Sequence, residues 1–348
     1  MRPLRLRRPF AALALAAVGW TCAGHAAPLP SLWTAPASKL DLALVKPPYA
    51  FVARPPTGQR FNGVDLVTLD RITMQPLTRS PIALSCLRVH ASRDGQLLCF
   101  TNVAPDKPTQ FAGPASYVYS PDLAPRSHHS NDSAGQPNRA RMSADGKYGA
   151  TTEFSTGHSY AGTGGATFST LTLILSNEAP NAAWNIEKWN VSQDGRKVTS
   201  PDLNLWGVTF DPANSDHFFV TAYFAGKPHL AEGSVGAQRI AVVRDSVECP
   251  SFSPDGKRLA FKKRTSETGW SPAVLELSTM KESVFDIGNS VDDQIEWLDD
   301  HTLVYEVVTR PLIGAPSSDL MSLDVSQPKP VGRLWLERAR SPALVRGR

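Results

Sequence analysis

Short apolar runs, each stopped by a turn signal, recur along this chain, and their alternation is that of strands rather than helices. Val, Ile, Leu, Phe and Thr gather between Pro, Gly, Ser and Asp, with no sustained apolar pattern at the helical period. The clearest unit is VECPSFSPDGKRLAFKKR, Val247 to Arg264. At its centre Pro254 presets the first turn torsion, Asp255 can hydrogen-bond the backbone two residues on, and Gly256 accepts the positive φ that follows. The run Leu259, Ala260, Phe261 predicts a strand buried on both faces.

Degraded copies of this unit align on the turn. LRVHASRDGQLLCF turns at Asp94-Gly95 and ARMSADGKYGATTEF at Asp145-Gly146. WGVTFDPANSDHFFVTAYF keeps Asp211-Pro212, IEWLDDHTLVYEV has His301 in place of Gly after Asp300, and the first copy retains only KPPYAFVAR, Lys46 to Arg54. Turns near 47, 94, 145, 213, 255 and 300 approach the roughly 40–50-residue spacing of a four-stranded propeller blade. The chain therefore reads as all-β, a six-bladed β-propeller of four-stranded antiparallel blades over residues 46–348. The long interval between the third and fourth turns holds a Gly/Ser/Thr-rich loop, Ser155 to Thr167. It also holds a second hairpin, WNVSQDGRKV, assigned to the outer strands of the same blade. A blade has two apolar faces that it cannot bury alone, so the ring must close. Either Ala343 to Val345 or Leu40 to Val45 would supply the missing inner strand of blade one.

Composition changes the picture at the N-terminus. Arg2, Arg5, Arg7 and Arg8 precede an apolar run, Phe10 to Val18, and a small-residue end, Ala23 to Ala27. This is the pattern of a secretory signal peptide over residues 1–27, with cleavage near Ala26 or Ala27 and an N-terminal arm at 28–45. Trp20 stands where a lipidation site before Cys22 would need a small residue. Loss of the signal takes four arginines and no acid, so Lys+Arg falls from 36 to 32 against 32 Asp+Glu. A neutral product gives no reason to expect nucleic acid or an anionic membrane as partner. No later segment is apolar and long enough to span a membrane. The expectation is a monomeric periplasmic or secreted protein. Cys86, Cys99 and Cys249 then remain in an oxidising compartment. Cys86 and Cys99 flank one predicted hairpin but lie out of register, which predicts no bridge and buried free thiols.

The hairpin Ser253 to Phe261 resembles the repeat of TolB-type six-bladed β-propellers, and the likeness extends over residues 46–345. SVDDQIEWLDD, Ser290 to Asp300, and NLWGVTF, Asn204 to Phe210, resemble secreted TolB-like proteins without an assigned activity. Residues 28–45 are too short for the N-terminal α/β domain that TolB itself carries, a departure that puts the TolB role in doubt and leaves the propeller intact. The resemblance implies binding to another envelope protein.

Candidate chemistry is sparse. GHSYAG, Gly157 to Gly162, matches the Gly-x-Ser-x-Gly/Ala nucleophile elbow, but Thr163 to Thr167 cannot begin the helix that elbow needs. His158, Ser159 and Tyr160 read instead as part of a loop over a binding face. His128-His129 and the isolated histidines have no metal-ligand spacing, and the five acids of VDDQIEWLDD do not follow an EF-hand. Glu296 and Asp299 in that run are expected to face solvent, and Trp297 the core.

A site emerges when the inner strands are aligned by their turns. Leu87, Asn138, Trp206, Glu248 and Asp293 fall at the channel mouth, followed by Arg88, Arg139, Gly207, Cys249 and Gln294. Acids, an amide and arginines converging on a funnel suit a small ligand, a peptide end or Ca²⁺. The alternative is that Glu248 and Asp293 pair with Arg88 and Arg139 and only neutralise the channel. No cofactor is called for. The function expected is that of a non-catalytic protein-interaction module, with a channel-mouth ligand binder or enzyme as the second reading.

Overall fold

The computed structural model describes residues 45–56, 62–130, 133, 135–157, 168–179, 182–267, 269–291, 293–310 and 316–347. The signal and arm fall outside them, apart from residue 45. Six sheets form the blades of a propeller, each with four antiparallel strands running from an inner strand at the axis to an outer strand. The inner strands are Arg88–Ala91, Gln136–Met142, Asn204–Phe210, Glu248–Phe252 and Glu296–Trp297 for blades two to six. In blade one the inner strand is Arg340–Val345, which pairs antiparallel with Tyr49–Arg54. Of the two closure candidates, the C-terminal one closes the ring.

Alternation explains how the blades cohere. In the second strand of blade two, Leu97 and Cys99 face blade one, packing with Phe51, Leu66 and Val345. Leu98 and Phe100, one residue out of phase, face blade three and pack on Ala140, Met142 and Leu175. The side-chain period of 2 thus feeds two interfaces from one strand. The same arrangement makes Leu259, Phe261 and Phe219 one cluster between blades four and five, and Ala260, Trp297 and Tyr305 another between five and six. Leu259, Ala260 and Phe261 are all fully buried, as their run predicts.

The turns are built as their residues require. Ser253 Oγ donates to Asp255 Oδ1 at 2.6 Å, while the amides of Lys257 and Gly256 donate to Asp255 Oδ1 and Ser253 O. Gly256 sits at φ +71°, a region that costs an L-residue roughly 1–2 kcal/mol. Ser92–Asp94 and Ser143–Asp145 repeat the hydroxyl-to-carboxylate bond. In blade six the capping acid is Asp299, which accepts from the amides of His301 and Thr302. Asp300, aligned with the turn by sequence, instead accepts from the Asp255 amide of blade five.

Two sequence expectations are corrected. The hairpin turning at Asp194-Gly195 belongs to blade four, where Asn190–Gln193 pairs parallel with the outer strand Arg239–Asp245 and Arg196–Lys197 extends the sheet to six strands. Parallel addition at an outer edge has no local turn to announce it, so adjacency in sequence misassigns it. Cys86 and Cys99 form a disulfide, with Cα atoms 5.4 Å apart. The Leu87 amide donates to Phe100 O, and Arg88 is also opposite Phe100, so two residues face one and the chain bulges. The bulge curls Cys86 back over the second strand, where counting along straight strands leaves it too far away. Cys249 is a buried free thiol.

Candidate functional site

Bulges shape the axis of the ring. The inner strands of blades three, four and five shift register between Pro137 and Arg139, Trp206 and Thr209, and Glu248 and Ser251. Gly207 at φ +69° and Cys249 at φ +50° sit in two of these bulges. A Cβ on Gly207 would lie 2.9 Å from the Cys249 Cα, so blades four and five approach as backbone on backbone. Such kinks re-aim side chains towards the axis. Gln294 fills the neck, donating from Nε2 to Pro250 O at 2.6 Å and to Val208 O at 3.3 Å. Ser341 ties blade one to blade two, donating to Val89 O and accepting from Val89 N at 3.1 Å.

On one side of this neck lies a cavity of about 480 Å³ to which all six blades contribute. Asn138, Trp206, Glu248 and Asp293 line it, as the turn alignment expects, together with Arg88 and Arg139. Leu87, Gly207 and Cys249 do not, and Gln294 lies below it in the neck. In blade two the bulge at Leu87 shifts the mouth position by one residue, from Leu87 to Arg88. His158, Ser159 and Tyr160 lie outside the described residues.

The acids of the funnel are not free. Arg139 Nη1 is 2.9 Å from Asp293 Oδ1 and Arg88 Nε 3.7 Å from Oδ2. Burial works against ionisation of Asp293, but Arg88, then Arg139, then the Gln294 amide outweigh it and hold the carboxyl well below the usual range. Glu248 Oε1 accepts from Trp270 Nε1 at 2.8 Å. Lys262, almost fully buried, lies 4.5 Å from the Trp270 ring centroid, a cation–π geometry. Among the described residues no three His, Cys, Asp or Glu side chains come together to hold a metal ion.

Lining residues that the turn alignment does not single out include Lys262 and Glu306 on second strands, Trp270 on a third, and Arg340 on the closing strand. Burial, reinforced by the charge of Asp293, pushes Glu306 up to about 7, despite Arg88, Ser318 and Arg340 nearby. Arg340 is pushed down to about 10 by burial and by the like charge of Arg88. Its Nη2 donates to Asn62 Oδ1 at 2.5 Å, whereas its buried Nε has no partner.

The opposite mouth is closed by charge. Glu296 is only 6% exposed, not at the surface as its acid-rich run suggests, because it lies on the inner strand of blade six, beside the axis. Arg141 Nη1 donates to its Oε2, His90 Nε2 lies 3.2 Å from the same oxygen, and Arg346 Nη2 is 3.3 Å from Oε1. Burial opposes the charge, yet Arg141, then His90, then Arg346 hold Glu296 well below its usual range. The Met142 amide donates to His90 Nδ1, so Nε2 carries the proton that reaches Glu296. Burial, then Arg141, lowers His90 and keeps that ring neutral. Every oxygen of Glu296 is used, leaving a cavity of about 100 Å³ there.

No protein-family model matches the chain, and no curated protein matches its sequence. Solved structures match its fold. TolB from Acinetobacter baumannii matches with a TM-score of 0.56 at 14% identity, over 86% of this chain and 66% of that one. A chain of the nidogen/laminin complex matches with a TM-score of 0.54 at 9% identity, over 86% of this chain and 98% of that one. The fold is that of the TolB-like six-bladed propellers which the Ser253–Phe261 repeat resembles. The match leaves a third of that TolB chain uncovered.

Proposed function

We propose that this protein is an exported, non-catalytic binding protein that receives part of a protein partner in the funnel at one end of its propeller. The observation that carries the reading is the funnel itself: six blades converge on a cavity of about 480 Å³ lined by charged and aromatic side chains, the kind of concavity in which few polar groups fix a ligand. The matching folds include a chain from a protein–protein complex. Export is supported by the N-terminal Arg and apolar pattern and by the Cys86–Cys99 bridge, since disulfides persist in oxidising compartments. Among the described residues no helix is long and apolar enough to cross a membrane.

The test is a comparison of two baits in an envelope extract, the wild-type protein and Asn138→Lys, which fills the funnel from a half-buried position on the blade-three inner strand. With matched melting temperatures, the wild type should retain a protein that the variant loses. If both baits retain the same proteins at several salt concentrations, the funnel is not the binding site. A fall in melting temperature for Asn138→Lys moves the test to Val308→Arg, at the funnel rim.

A further inference from the structure

Resting on that reading of the funnel, we propose that it recognises a carboxylate at a partner's chain end, seated against Arg340 and Arg88 with Trp206 and Phe154 packing on the adjoining group. Five basic side chains line the cavity, Arg88, Arg139, Lys262, Arg310 and Arg340, against three acids, Glu248, Asp293 and Glu306. The acids do not cancel the bases. Asp293 is shared between Arg88 and Arg139, and Glu306 lies near Arg340, so five bases still exceed three acids by two.

Arg340 is left in the least settled position of the set. It is mostly buried beside a second guanidinium, and its Nε–H has no acceptor. A buried donor without a partner is destabilising, more so on a charged group, and a ligand acceptor would relieve it. Arg340 and Arg88 line the same cavity; Arg340 keeps an unused Nε–H, while Arg88 already donates from Nε to Asn138 O and from Nη1 to Leu87 O, so a carboxylate would take charge-assisted bonds chiefly from Arg340 with Arg88 as the second charge. Asn138 Oδ1, also buried without a partner, supplies an acceptor on the same wall that suits the amide N–H preceding a terminal carboxylate. Phe154, Trp206 and Val308 provide an apolar surface for the last side chain. An oxyanion without an attached apolar group would leave that surface unused.

Isothermal titration of the mature protein decides the matter with three probes: N-acetyl-Ala-Ala-Val-Phe as the free acid, the same peptide as its C-terminal amide, and 3-phenylpropionate. The free acid should bind at least tenfold more tightly than the amide. Arg340→Gln should lower affinity for the acid at least tenfold, while Arg340→Lys, which keeps the charge but not the fork, should fall between. Because Arg340→Gln also removes repulsion with Arg88, its melting temperature without peptide should equal or exceed that of the wild type, which separates lost binding from lost folding. Equal binding of acid and amide, no binding of either, or wild-type affinity in Arg340→Gln overturns the carboxylate seat. Tighter binding of phenylpropionate than of the peptide acid keeps the seat and overturns the protein-partner reading. Funnel-dependent capture of a partner with no binding of the acid leaves the partner reading standing and the carboxylate seat refuted.

Discussion

Replacing Glu306 by Gln isolates what it costs to hold a carboxyl in the funnel. Glu306 is 5% exposed, and burial, with the neighbouring charge of Asp293, pushes it from 4.5 up to about 7 in the folded protein. Below about pH 4.5 the carboxyl is protonated folded and unfolded, so its ionisation contributes nothing to the difference. Between 4.5 and 7 the unfolded chain ionises first, and folding must take up a proton. Above pH 7 the folded chain also ionises and carries the whole penalty, because its pKa is raised and the lost stability grows with pH. The gap corresponds to about 3 kcal/mol at 1.36 kcal/mol per pH unit. Gln keeps the shape and cannot ionise. Urea unfolding should therefore find Glu306→Gln close to wild type near pH 5 and about 2–3 kcal/mol more stable near pH 8. An equal advantage at both pH values, or none at pH 8, would refute the assignment of burial as the dominant influence on this group.

Other perturbations probe the neck and the bridge. Arg141→Met leaves Glu296 buried with only part of its charge answered and should cost about 3–5 kcal/mol; adding Glu296→Gln should recover more than half, and a single variant within about 1 kcal/mol of wild type would show the pair to be dispensable. Reduction of Cys86–Cys99, with its sequence separation of 13, should remove about 3 kcal/mol of loop-closure stabilisation. A thermal unfolding midpoint unchanged by reductant would contradict it.

Much of the ring is legible in the turns because the signal is local. Ser253, Asp255 and Gly256 each have one task within the same few residues, and the bonds they make are those their side chains require. The mouth residues Asn138, Trp206, Glu248 and Asp293 follow from equal offsets ahead of those turns. Offsets fail where a bulge adds a residue, which is how Leu87 is named for Arg88 and how the Cys86–Cys99 bridge is missed. Glu296 defeats a different rule. An acid in an acid-rich run reads as solvated, and only the ring brings Arg141 and His90, far away in sequence, to its oxygens. Lys262 and Glu306 had a readable signal, since they stand after their turns as the other mouth residues stand before them.

The closing strand also sets a schedule. Every sheet but the first has all its strands in an unbroken stretch of chain, so blades two to six can form in chain order as they reach the compartment where the protein folds. Tyr49–Arg54 emerges early and waits for Arg340–Val345, and meanwhile presents a bare strand edge to any chain nearby. The folding protein is thus an open fan until Arg340–Val345 docks, able to be held by chaperones. The final six-residue strand acts as a latch, and resistance to proteases should appear abruptly with its arrival rather than accumulate blade by blade.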